Sequence, residues 1–178
     1  MPFRRYAVSL ALMTVALAAP ASARDDDDDP LAKAALTVAK FKEKSEGIAA
    51  AIEDAYGYAV FPTVGKGGMG LGGAHGKGFV YEHGRLVGRT SLTQVTIGFQ
   101  LGGQAYSEMV LFKDRDALEN FRRGRLKLDA QASAVALDAR AAKDLPYRNG
   151  VAIVTMAKGG LMYEASVGGQ KFSFMPLR

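Results

Sequence analysis

Gly68, Gly70 and Gly73 stand at the G-x-G-x-x-G spacing that lets a loop cradle a dinucleotide pyrophosphate. That chemistry needs a helix directly after the loop, with its N-terminus aimed at the phosphates. Here the chain runs on through Gly76 into Gly78 to Glu82, a stretch with strand character. The glycines are therefore read as points where strands bend and backbones come close. A Walker A loop is excluded as well, because neither Lys66 nor Lys77 precedes a Ser or Thr.

His75 and His83 are the two histidines, and they flank one predicted strand. Ordinary strand rise separates them by about 26 Å, too far to share a metal unless a turn intervenes. The chain has no cysteine, and no carboxylates fall at zinc-ligand spacing. Ser91, Ser107 and Ser133 lack a G-x-S-x-G context, so no activated nucleophile emerges. The residues predict no catalytic site, no metal and no cofactor; the reading is non-enzymatic.

Two basic groups remain. Arg122, Arg123 and Arg125 with Lys127 form the densest positive cluster. Guanidinium binds phosphate through paired hydrogen bonds and keeps its charge at any working pH. The plainer reading of the same residues is a solvated helix end, where cations complement the macrodipole. Lys33, Lys40 and Lys44 recur at helical spacing and form the second group. The arginines are expected to dominate anion binding, since Asp25 to Asp29 lie beside the start of the lysine helix.

The elements that must carry these residues follow from pattern. Asp29-Pro30 is a helix start, with Asp as N-cap and Pro in the first turn. The helix runs to about Lys44, with Leu31, Ala34, Val38 and Phe41 on one side and Lys33, Thr37, Lys40 and Lys44 on the other. Ser45 caps a second helix that turns Ile48, Ile52 and Ala55 inward and ends near Tyr56-Gly57. From Tyr58 the chain reads as short strands with glycine punctuation, the first of them, Tyr58 to Pro62, stopped by its proline. Asp114 caps one further short helix, with Ala117, Leu118 and Phe121 on its inner face. Strand signals resume at Leu126 to Leu137, Val151 to Met156, Leu161 to Val167 and Lys171 to Met175. Tight turns are expected at His83-Gly84, Asn149-Gly150 and Gly168-Gly169. The fold class is α+β: N-terminal helices packed on a twisted, Gly-rich antiparallel sheet or partly closed barrel.

Residues 1–23 have the three parts of a cleavable secretory signal: Arg4 and Arg5, the apolar run Ala7 to Ala19, and Ala21-Ser22-Ala23. The apolar run is about 13 residues long, shorter than a bilayer span. The expected organisation is signal 1–23, acidic linker 24–29 and one domain over 30–178. Loss of the signal would lower the net charge from +5 to +3. An exported basic chain is expected to meet membrane headgroups, not nucleic acid.

Ala55-Tyr56-Gly57-Tyr58-Ala59-Val60-Phe61-Pro62 and the glycine run ending Gly76-Lys77-Gly78 resemble the SYLF, or Ysc84, domain. Ile97 to Gln104, then Leu111-Phe112 with Ala117, Leu118 and Phe121, resemble its middle blocks, and Gly159-Gly160-Leu161 and Gly168-Gly169 its closing strands. The resemblance implies a lipid-binding module, with some relatives also binding actin. With an export signal in front, it implies a phospholipid-binding protein of the periplasm or cell envelope. The alternative is a structural or protein-interaction protein of the envelope without lipid specificity; a hydrolase using His75 or His83 ranks third.

Overall fold

The computed structural model describes residues 29–69, 71–97, 104–126, 128, 133–136, 145–158, 165–166 and 169–177. The expected signal, most of the acidic linker, Gly70 and Lys127 lie outside these residues.

Two helices lead: α1, Pro30–Lys44, and α2, Glu46–Asp54. Asp29 caps α1 by accepting from the Leu31 amide, and Ser45 caps α2 by accepting from that of Ile48. Both caps fall where the sequence put them. The faces of α1 differ from expectation. Ala34 and Phe41 are buried, but so is Thr37, while Leu31 is 40% exposed. Thr37 can go inside because its hydroxyl donates to the Lys33 carbonyl one turn back, at 2.8 Å.

Among the described residues eight strands follow: β1 Gly57–Met69, β2 Leu71–Glu82, β3 Arg85–Ile97, β4 Gln104–Phe112, β5 Ser133–Ala136, β6 Val151–Lys158, β7 Ala165–Ser166 and β8 Lys171–Pro176, with α3, Arg115–Arg122, after β4. Their order is β7-β5-β6-β4-β1-β2-β3-β8. The six from β6 to β8 pair antiparallel throughout; β5 runs parallel to β6. The class is α+β with an open sheet.

The first three strands are long where short ones were expected. Pro62 does not stop β1, which passes through it as a bulge. Pairing to β2 skips from Val60 to Thr63, and pairing to β4 skips from Phe61 to Val64. Proline has no amide hydrogen for a ladder, so a bulge is where a strand interior tolerates it. Its carbonyl is satisfied by the Ser107 hydroxyl at 2.9 Å. Gly57 does not cap α2 but begins β1, where a Cβ would meet the Tyr81 carbonyl at 2.5 Å.

Register sorts the side chains onto two faces. Val60, Met109, Leu111, Ala152 and Val154 meet Ala34, Phe41, Ile48 and Ile52 from the two leading helices. The other face carries Ala59, Phe61, Val80, Leu92, Tyr106, Val110 and Phe112. It is covered by Ala117, Leu118 and Phe121 of α3, which Asp114 caps as expected, and by Phe172 of β8. Phe172 lies 5.9 Å from Phe61 and 5.1 Å from Phe121 between ring centroids. Because β8 hydrogen-bonds only to β3 in the sheet order, its reach to β1 shows that the sheet curls over this face.

Candidate anion-binding surface

The arginine cluster divides. Asp114 accepts from the Ala117 amide at 2.9 Å and starts α3, whose last turn presents Arg122. Arg122 donates to Glu82 Oε2 at 2.7 Å and to Glu119 Oε1 at 2.8 Å, and its guanidinium lies 5.4 Å over the Phe174 ring. Glu82 also accepts from the Tyr56 hydroxyl at 2.9 Å. The Arg122 hydrogen bond holds the Glu82 carboxyl below the usual range. Arg122 thus ties the β2–β3 hairpin to α3 and β8, with two carboxylates against its one charge. Arg123 is exposed and 3.7 Å from Glu119, and Arg125 is exposed after the turn at Gly124. Lys127 is outside the described residues.

The helix lysines hold together with a residue the sequence did not flag. Lys33, Lys40 and Lys44 are exposed on α1. Lys158 ends β6 and donates to Thr63 Oγ1 at 2.7 Å. Its pKa is lowered, first by burial and then by repulsion from Lys33 and Lys40. The charges of two α1 lysines are thus felt at the end of β6, where Lys158 meets Thr63 beside the bulge in β1. Lys44 sits at the far end of α1, where Lys42 is paired with Glu53 at 3.2 Å. Nothing in the sequence marked Lys158 except its place at the polar end of the apolar run Val151 to Met156.

The interior also holds a polar group that no motif or spacing marked. Glu108 is fully buried on β4, directly opposite Thr155 on β6. Gln170, just before β8, donates to Glu108 Oε2 at 3.0 Å and also bonds to the Tyr106 hydroxyl. Burial pushes the Glu108 carboxyl up to about 8, so it is largely neutral at pH 7. General acid–base work requires contact with a substrate, and this carboxyl has no exposed surface.

The histidines do not meet. His75 is exposed on β2, while His83 sits in the β2–β3 turn with φ 48° and its ring edge-on to Tyr56 at 4.3 Å. Gly68 and Gly73 belong to the β1–β2 ladder, opposite Gly72 and Gly67, so a strand and not a helix follows the glycine run. No group of three or more His, Cys, Asp or Glu side chains converges among the described residues. What the surface offers is cation-rich ground for an anion.

No curated protein matches the chain. The family model Ysc84, described as "Las17-binding protein actin regulator", matches residues 93–175. That stretch runs from β3 to β8 and includes α3, Glu108 and Lys158. The blocks at Ala55 to Gly78 that also resemble the family lie before it and supply β1 and β2, the centre of the same sheet. Residues 93–175 of this chain therefore match the Ysc84 domain, also called SYLF.

Proposed function

We propose that this protein binds anionic phospholipid headgroups at a membrane surface, as an exported, peripheral protein of the periplasm or cell envelope. The observation that carries the reading is the exposed basic surface of α1, Lys33, Lys40 and Lys44, with Lys158 at the end of β6 within the electrostatic reach of Lys33 and Lys40. Each surface cation near an anionic bilayer contributes about 1 kcal/mol. Arg122 carries less of the load than its sequence context suggests, because Glu82 and Glu119 already match its charge. The resemblance to lipid-binding relatives and the signal-like residues 1–23 support the same reading. No helix among the described residues is long and apolar enough to cross a membrane.

The test is co-sedimentation of the protein, lacking residues 1–23, with vesicles of phosphatidylcholine alone or mixed with phosphatidylglycerol. Binding should require the anionic lipid and should fall at least tenfold in the Lys33→Glu/Lys40→Glu/Lys158→Glu variant. Absence of binding to anionic vesicles at low salt would hand the function to the protein-interaction alternative.

A further inference from the structure

Beyond the lysine cluster, the strands β1, β2, β3 and β8 carry one Asp or Glu between them, Glu82. That carboxylate turns to the α3 side, where it meets Arg122. The opposite, outer face of β2, β3 and β8 is basic. Register places three rows there: Phe79, Arg89 and Met175; Lys77, Ser91 and Ser173; His75, Thr93 and Lys171. Lys77, Arg89 and Lys171 are all exposed. Ser91 and Ser173 share a 2.6 Å hydrogen bond, keeping that row short and flat.

The geometry can be laid out from strand spacing. Neighbouring strands are about 4.8 Å apart and a two-residue step is about 6.8 Å. Lys77 is then about 8 Å from Arg89 and about 12 Å from Lys171 between Cα atoms. The three charges form a triangle, not a line along one strand. On the same face, added Cβ atoms at Gly65 and Gly67 would meet nothing within 4 Å among the described residues. Two apolar side chains stand at its margins, Val95 at 66% and Met175 at 59% exposure. The face also joins the first cluster: Lys77 pairs across the ladder with Thr63, the residue that Lys158 holds.

We infer that the outer face of β2, β3 and β8, beside the helices α1 and α2 that stand on the same side of the sheet, meets an anionic phospholipid bilayer and is the main contact through which the protein is held there. This rests on the lipid reading above and names the surface that serves it. The occupant follows from complementarity. A triangular array of cations with no carboxylate between them among the described residues matches charges spread in a plane, whereas a linear polyanion would be matched by cations in file. Exposed Met175 and Val95 suit the boundary between headgroups and acyl chains. Lys33, Lys40 and Lys158 extend the contact along one side.

The experiment uses the protein without residues 1–23 and vesicles of phosphatidylcholine with or without phosphatidylglycerol. Lys77→Glu/Arg89→Glu/Lys171→Glu should lower vesicle binding about a hundredfold at low salt. Its unfolding midpoint should stay near wild type, since the three side chains are exposed. The chain has no tryptophan, so Met175→Trp adds a clean reporter, whose emission should shift to the blue with anionic vesicles only. If wild type binds and this variant binds equally well, while Lys33→Glu/Lys40→Glu/Lys158→Glu does not, the inference is overturned and the lipid reading stands. Vesicle binding without a Met175→Trp shift overturns it too. If wild type binds no vesicle, both fall.

Discussion

The side-chain amide of Gln170 donates to the carboxyl of Glu108 across 3.0 Å, joining the approach to β8 with the middle of the sheet. Both residues are buried, and Glu108 faces Thr155 and Phe61 on the neighbouring strands. In its neutral form the carboxyl accepts from Gln170 without bringing a charge inside.

This gives stability a specific pH dependence. The Glu108 pKa is raised from 4.5 to about 8 by burial, so the folded state holds its proton where the unfolded state has lost it. The contribution is full below the unfolded value. It is lost as pH rises from about 4.5 to about 8, and is flat above that. Between pH 5 and 7 the loss is on the order of 3 kcal/mol. Denaturant titrations at pH 5, 7 and 9 should show it, and Glu108→Gln should flatten the curve and be the more stable form at pH 9. Parallel curves for the two proteins would remove Glu108 as the cause.

Arg122 and its neighbours should behave differently. Arg122→Ala leaves Glu82 partly buried without its cation, leaves Glu119 only the longer contact to Arg123, and uncovers Phe174, at a cost of about 2 kcal/mol. Arg123→Ala and Arg125→Ala should stay within about 0.5 kcal/mol of wild type. Thermal unfolding of the three single variants checks this; equal effects would mean that Arg122 is not the tie described.

Glycines of the first hairpin should separate by position. A Cβ at Gly78 would enter the space of the Val60 carbonyl and the Phe61 ring. Gly78→Ala should therefore lose about 1–3 kcal/mol by overpacking. At Gly67 nothing lies within 4 Å, so Gly67→Ala should be neutral or slightly stabilising. Chemical denaturation of both distinguishes crowding from a general need for glycine in these strands.

Membrane attachment should be strongly salt-dependent. The cations of the outer face and of α1 are exposed, and exposed charges are screened beyond about 10 Å at 0.1 M salt. Vesicle binding should fall more than tenfold from about 0.05 to about 0.5 M sodium chloride. Binding that persists unchanged would point to Met175 and Val95, not the cations, as the source of affinity.

Much of the fold was legible because its signals are local. Asp29, Ser45 and Asp114 cap the helices the sequence assigned to them, and His83-Gly84 and Asn149-Gly150 turn with positive φ. What could not be read depended on register. Pro62 looked like an end because a ladder position without an amide hydrogen is usually an end; the compensating hydroxyl comes from Ser107, 45 residues away. Thr37 looked polar because its burial rests on a bond inside its own helix. The arginines read as one cluster because Glu82, which takes Arg122 out of it, lies 40 residues back. Lys77, Arg89 and Lys171 form one surface only after three strands are aligned. Glu108 stood in an apolar stretch with no sequence sign that its proton would stay.

The pairing of β3 with β8 has a consequence for how the chain acquires its shape. Thr90 bonds to the Ser173 carbonyl across 83 residues, while β1, β2 and β3 form a meander of neighbours. Local pairs close early and distant ones late, because a long loop must be ordered before the contact is made. On a ribosome that delivers the N-terminal part first, the β1–β3 meander is available long before Phe172. Until then the rings of Phe61 and Phe121 lack their cover, and the outer strand of the meander has a free edge. The last strand is therefore the step that converts a sticky half-sheet into a finished molecule, and a chain stopped short of residue 172 should be a substrate for chaperones and proteases.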